Sequence, residues 1–292
     1  MRPLLTDFPL GAFLGALPFT LLAVAGVLGA TFLVALRLGR HAVVDVAWGL
    51  GFAGIAVAAF LAAEGEGDGL VSGLALVLTL LWGVRLAVHI GLRSRGHGED
   101  PRYVELLARA PGNPQLFALR KIYLTQGLVM WFVSLPVQVA MFEHGEANLA
   151  TLLGVLVWLV GFGFETVGDY QLSRFRNDPA SRGQVLDTGL WRYTRHPNYF
   201  GDACVWWGLS LVAFSAWPGI LTIGSPLLMT WLLAKGTGKP LLEKDMAGRR
   251  PGYVDYVRRT SGFLPLPPRP AAATDRPADP PADPPTRQDE TP

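Results

Sequence analysis

Long apolar runs separated by short polar connections set the plan of this chain. Phe13 to Leu36 is almost wholly apolar and tolerates Pro18 in its first turns. Ala42 to Ala63, Leu70 to Leu92, Ile122 to Phe142 and Leu149 to Val167 follow, each long enough to cross a bilayer as a helix. Phe200 to Phe214 and Ile220 to Leu233 are shorter. At about 15 residues, or roughly 22 Å of helix, they must borrow flanking polar turns to span. The connections alternate in charge. Arg37 to His41, Arg93 to Lys121 and Asp169 to Tyr199 carry the arginines, whereas Glu64 to Asp68, the EHGEAN after Phe142 and Ser215 to Gly219 carry no Lys or Arg. The positive-inside rule then puts the N-terminus outside and the C-terminus in the cytoplasm.

The pattern predicts an all-α membrane protein, a seven-transmembrane-helix bundle forming one domain over residues 1–265. Residues 1–148 are the expected substrate-side helices and 149–265 the cofactor-binding half. Residues 266–292 are rich in Pro, Ala and Asp without periodicity and read as a disordered tail. Composition agrees: 50% of residues are hydrophobic, 16% are charged, and the mean hydropathy is +0.31. No arginine-led region precedes the first run, which is longer than the apolar core of a signal peptide and reads as a retained span. The net charge of +2 gives no basis for nucleic-acid binding. Cys204, the single cysteine, excludes an intrachain disulfide and a CxxC metal or redox pattern, so no metal is expected.

The stretch LWRYTRHPNYFGDACVW, Leu190 to Trp206, carries the densest chemistry. Pro197 disfavours helix at His196, so a helix starting near Asn198 presents unpaired backbone N–H groups beside Arg192, Arg195 and His196. That arrangement suits an anion. On the same side of the membrane lie Asp169, Tyr170, Arg174 and Arg176 after the fifth run, and Lys235, Glu243, Tyr253 and Tyr256 after the seventh. Arginine forks suit phosphate, aromatic rings offer stacking faces, and carboxylates accept from hydroxyls or a carboxamide. Together they point to a nucleotide cofactor, either a pyridine dinucleotide or an adenosyl donor. The glycines of GFGFET at 161–166 and GTGK at 236–239 lack the frame of a nucleotide motif.

These residues also carry a resemblance. DYQLSRFR, GLWRYTRHPNYFGDACVWWG, LEKDM and GYVDYVRRTSGFLP resemble the C-terminal domain of the steroid 5α-reductase superfamily, and the chain over Val43 to Pro265 is similar to the bacterial membrane proteins grouped as DUF1295. The resemblance implies seven helices, residence in the bacterial inner (plasma) membrane and NADPH held in the cytoplasmic half. It implies cofactor roles for Asp169 and Arg176, for Tyr193, Asn198 and Asp202, and for Trp206, with Arg195, His196 and Tyr199 as additions. Arg195-His196-Pro197 is closer to the pattern of sterol reductases and of isoprenylcysteine and phospholipid methyltransferases. The readings that follow are an NADPH-dependent reductase of an activated C=C bond in a lipophilic substrate, an S-adenosylmethionine-dependent methyltransferase, and a non-catalytic lipid-binding protein.

Ionisable groups within the spans are costly and face a cavity or a partner. Asp45 begins the second run, and Arg85 and His89 sit four apart on one face of the third. A pairing of Asp45 with Arg85 or His89 is the expected carbonyl-polarising, catalytic end of the pocket.

Overall fold

A computed structural model of the chain describes residues 8–236, 238–243 and 246–270. Among the described residues there are helices and a single parallel bridge between Thr194 and Ser261, but no strand. Five helices are long and apolar enough to cross a membrane. They are α1 (Leu10–Leu38), α2 (Val43–Ala63), α3 (Gly69–Arg93), the composite Pro114–Val133, and α8 (Leu149–Asn177). Between α3 and the composite lies α4 (Pro101–Ala108), started by the Asp100 side chain accepting from Arg102 N with Pro101 in the first turn.

The fourth span departs from expectation. It starts at Pro114 under an Asn113 cap as α5 (Pro114–Ala118), passes through a π turn at Leu119–Leu124 and continues as α6 (Thr125–Val133). It then breaks before α7 (Leu135–Ala140), because Pro136 lacks the N–H that would continue the ladder. The polar side chains at the break are satisfied internally: Gln138 donates to Ser134 Oγ at 2.8 Å and accepts from Thr20 Oγ1 at 2.8 Å, which ties α1 to this span.

The fifth span also differs. An Asn148–Thr151 capping box starts α8, and the helix runs past Val167 to Asn177, so Asp169 to Arg176 are helical rather than a polar loop. α9 (Pro197–Ala213) packs antiparallel along α8. Gly154, Gly161 and Gly168 recur every seven residues on α8, and Gly201 and Gly208 do so on α9, which keeps each set on one helix face. A Cβ on Gly161 would lie 2.5 Å from Gly201 O, and one on Gly208 would lie 2.7 Å from Gly154 O. Backbone-to-backbone approach of this kind is the small-residue packing of membrane helices. It sets Glu165 and Asp169 against Asn198 and Asp202.

α9 has 17 residues, and the last apolar run forms a 3₁₀ turn at Gly219–Ile223 followed by α10 (Gly224–Ala234). Short helices α11 (Lys239–Glu243), α12 (Met246–Arg249) and α13 (Tyr253–Arg259) complete the described chain. Residues 266–270 are not the start of a loose tail: Leu266 N donates to Tyr193 O at 3.0 Å and Arg269 N to Arg259 O at 2.9 Å, which pins them to the bundle. The rest of the expected tail, 271–292, lies outside the described residues.

Candidate functional site

Three helices bring their polar residues to one buried place. Arg85 of α3 donates to Glu165 Oε1 and to Asp169 Oδ2, each at 2.7 Å. Asn198 Nδ2 reaches Asp169 Oδ1 at 3.2 Å, and His89 Nε2 lies 3.5 Å from Asp169 Oδ2. Trp82 Nε1 donates to Glu165 Oε2 at 2.8 Å. The spacings explain the convergence: 82, 85 and 89 share a face of α3, 165 and 169 a face of α8, 198 and 202 a face of α9. Asp202 is buried beside this group, and the indole N–H of Trp206 faces its carboxylate without closing a hydrogen bond of normal geometry. Phe52, Trp82 and Trp206 stack around them with ring centroids 4.5–5.5 Å apart. An unpaired desolvated polar atom costs about 1–3 kcal/mol, so the Trp206 indole and the Asp202 carboxylate are each other's nearest means of satisfaction.

The rim of this cluster is cationic. Arg176, exposed at the end of α8, feels the positive charges of Arg93 and Arg250 and the negative charge of Asp169. Arg250 is held by donating to Gln184 O at 2.6 Å. Three guanidiniums collected over a buried acid–amide group can grip phosphate while the interior holds a carboxamide or hydroxyl.

Asp45 does not pair with Arg85 or His89, contrary to expectation. It sits in the first turn of α2 and accepts from Tyr103 Oη at 2.6 Å and from Arg102 at 2.9 Å, both on α4. Arg85 and His89 lie near the C-terminal end of α3 and are claimed by the α8 carboxylates, so they belong to the Asp169 cluster. Burial, together with the Asp45 charge and hydrogen bond, pushes the Tyr103 phenol well above its ordinary range and keeps it a proton donor. Gln126 Nε2 is 3.5 Å from the same hydroxyl.

Arg195 and His196 belong to a different assembly. Arg195 spends its guanidinium on Glu243 (Nε to Oε1, 2.9 Å; Nη2 to Oε2, 3.2 Å) and on the carbonyls of Thr260 at 2.7 Å and Val257 at 3.2 Å. His196 Nε2 lies 2.8 Å from Glu243 Oε1, and its ring stacks on Tyr199 with centroids 5.4 Å apart. Tyr256 Oη donates to Trp191 O at 2.6 Å, while Trp191 Nε1 donates to Gly168 O at 3.1 Å. These bonds clamp the C-terminal segment onto the start of α9. Burial lowers the His196 pKa against the pull of Glu243, so the ring favours its neutral form. Four of the five Arg195 N–H donors are spent on these bonds, which leaves it ill-placed to fork onto a phosphate.

The predicted residues therefore divide. Asp169, Arg176, Asn198, Asp202 and Trp206 gather with Arg85 and His89, and Tyr199 stacks on His196 of the other assembly. Arg195, His196, Glu243, Tyr253 and Tyr256 form the clamp, the last two buried at 6% and 3% exposure. Tyr256 thus faces Trp191 rather than sharing a pocket with Arg176 and Asn198. Tyr170, 63% exposed, and Arg174, one turn on, lie on the face of α8 turned away from α9. Lys235 and Tyr193 are exposed, and Arg192 lines a surface cleft on the far side of Trp191. The helix expected near Asn198 begins one residue earlier, with His196 at the N-cap and Pro197 in the first turn.

Sequence reasoning missed Arg93, Arg102, Tyr103 and Arg250. Asp100-Pro101, a cap residue followed by a first-turn proline, is the signal that would have placed Arg102 and Tyr103 on a helix. Among the described residues no group of three or more His, Cys, Asp or Glu is placed to hold a metal ion.

Five apolar helices closed over a buried charged core define an integral membrane protein of the all-helical class. More particularly, the chain belongs to the family described as "Protein of unknown function (DUF1295)", which matches residues 31–260. It is similar to "Uncharacterized protein C594.04c" of Schizosaccharomyces pombe, 27% identical over 220 residues, or 64% of this chain. The chain spans 61% of the length of that relative. No solved structure matches.

Proposed function

We propose that this protein is a membrane-embedded reductase that uses NADPH to reduce an activated C=C bond of a lipophilic substrate, steroid-like, isoprenoid or acyl. The observation that carries the reading is the three-helix cluster around Asp169, in which Arg85, Glu165 and Asn198 meet Asp169 with the positive charges of Arg93, Arg176 and Arg250 beside it. The residues fit the cofactor. Arg176 and its neighbours would hold phosphate, Asn198 and Asp202 the carboxamide end, and the Trp206 face the ring. When bound, NADPH supplies the hydride. Asp45 with Arg102 holds the Tyr103 hydroxyl, whose one proton is donated to Asp45 here; on substrate binding that proton would turn from Asp45 to a substrate carbonyl as enolate character develops. The seven-span topology, with α9 and Gly219–Ala234 as short sixth and seventh crossings, belongs to the same proposal. So do an outside N-terminus, a cytoplasmic C-terminus and a bacterial inner-membrane location.

The test uses detergent-purified full-length protein. NADPH at a hundredfold over its Kd stabilises a protein that binds it only when folded by about 2.7 kcal/mol. A thermal shift with NADPH, absent with S-adenosylmethionine and lost in Arg176→Ala and Asn198→Ala, supports the reading. Asp45→Asn and Tyr103→Phe keep that shift and lose turnover. A shift with S-adenosylmethionine alone replaces the reductase by the methyltransferase. No shift with either leaves the lipid-binding reading.

A further inference from the structure

A cleft of about 560 Å³ lies away from the Asp169 cluster. It lies between residues 187–192 and 259–270, lined by Asp187, Thr188, Arg192, Arg259, Thr260 and Arg269 among others. Its walls are built by the fold. Gly189 takes a left-handed φ of +59°, turning the chain before Arg192, and the bonds from Leu266 N to Tyr193 O and from Arg269 N to Arg259 O lay the return segment opposite. Pro268 and Pro270 stiffen that segment on either side of Arg269.

Three guanidiniums from three separate segments therefore face one cleft with a single carboxylate among them. Asp187 lies 3.5 Å from Arg259 and compensates that one loosely. Among the described residues, Arg192 and Arg269 make no ion pair. Converging like charges repel, and an anion between them relieves the repulsion. The volume falls in the range of a small-ligand site and exceeds what a single phosphate fills. Arginine in all three positions favours bidentate bonding to phosphate oxygens. Tyr193, Leu264 and Leu266, 45%, 56% and 52% exposed, continue the same strip of chain as an apolar margin.

We infer that this cleft is an anion site for a phosphate-bearing ligand, held by Arg192, Arg259 and Arg269. It is separate from the proposed cofactor site: no residue that lines it belongs to the Asp169 cluster. The ligand is either the headgroup of an acidic phospholipid, with the apolar margin against its chains, or a soluble diphosphate.

The experiment takes the full-length protein in nanodiscs of phosphatidylcholine with and without phosphatidylglycerol, reading retained lipid by native mass spectrometry, and in detergent with pyrophosphate, reading the thermal shift. Preferential retention of phosphatidylglycerol assigns the lipid; a pyrophosphate shift without that preference assigns the soluble ligand. In either case Arg192→Gln and Arg269→Gln each weaken binding about tenfold, the loss of one charged hydrogen-bonding pair. Arg258→Gln, 68% exposed and paired with Asp255, leaves binding unchanged, as does Arg176→Ala in the cofactor rim. The unliganded melting points of the variants report that they fold. Binding of neither probe overturns the site. Equal weakening by Arg258→Gln reduces it to general surface charge, and loss in Arg176→Ala moves the anion to the cofactor rim; either result overturns it too.

Discussion

Glu143 follows α7 at one end of the bundle, beside the connection that precedes α10; Glu243 lies at the other end, against the start of α9. Glu143 is fully buried and Glu243 half-buried, and burial works on both in the same direction. Glu143 is 1% exposed, neither carboxylate oxygen has a hydrogen-bond partner, and Gly219 packs so close that a Cβ there would lie 2.6 Å from Oε1. Its pKa is pushed up to about 8. At Glu243 burial pushes up as well, but hydrogen bonds from His196 and Arg195 outweigh it and hold the carboxyl down at about 2. The difference teaches that depth does not decide a charge's fate here; the local supply of cations does. That supply is the asymmetry of the loops: the end without Lys or Arg leaves its glutamate unpaired, and the arginine-rich end builds a clamp around its own.

The sharpest way to break the contrast is pH. A folded pKa raised from 4.5 to about 8 means that the Glu143 contribution is complete below about pH 4.5 and is lost as pH rises through 8. At roughly 1.4 kcal/mol per unit, the loss is on the order of 4 kcal/mol. Thermal unfolding in detergent between pH 5 and pH 9 should show that decline in the unmodified protein and a nearly flat line in Glu143→Gln. Glu243 has the opposite sign: its contribution is present above about pH 4.5 and is lost as pH falls towards 2. Neutral His196, with its lowered pKa, adds to the same acid loss.

Next in size is removal of the clamp's acid. Glu243→Ala leaves the buried Arg195 charge unpaired and should cost about 3 kcal/mol, read as a lower unfolding midpoint at neutral pH. Glu243→Gln, which can still accept hydrogen bonds, should cost less and flatten the acid limb. A Cβ at Gly201 meets Glu165 N at 2.5 Å, so Gly201→Ala should force α8 and α9 apart at about 1–3 kcal/mol. The smallest effect belongs to Arg174→Gln on the outward face of α8. Stability should stay within about 0.5 kcal/mol, and any NADPH shift should be unchanged. A large loss there would mean that the outer face of α8 is not free.

Much of the fold was legible because a bilayer imposes it. Runs of apolar residues near 20 long have few alternatives to helix, and α1, α2, α3 and α8 lie where those runs lie. The breaks were less legible. Pro136 could have been read as an interruption, but the extension of α8 to Asn177 depends on packing against α9 and the Trp191 indole, which local polarity masked. Of the cluster, Asp169, Arg176, Asn198 and Asp202 were named from the resemblance and from their polar chemistry rather than from spacing, because the stretch from Asp169 to Tyr199 reads as a polar connection. Tyr103 was missed because its partner, Asp45, is 58 positions away. Arg195 was assigned to phosphate because a sequence displays a donor but not whether a carboxylate and two carbonyls already occupy it.

By itself, then, the order of residues determined the membrane class, the apolar helices and the end of the molecule where charge collects, since solvent transfer acts on each segment separately. The tertiary structure alone decided which charges meet: Arg85 with Glu165 and Asp169, Asp45 with Tyr103, Arg195 with Glu243. Pairing falls off within a few ångströms and depends on how helices distant in sequence are rotated against one another, a quantity no single segment carries.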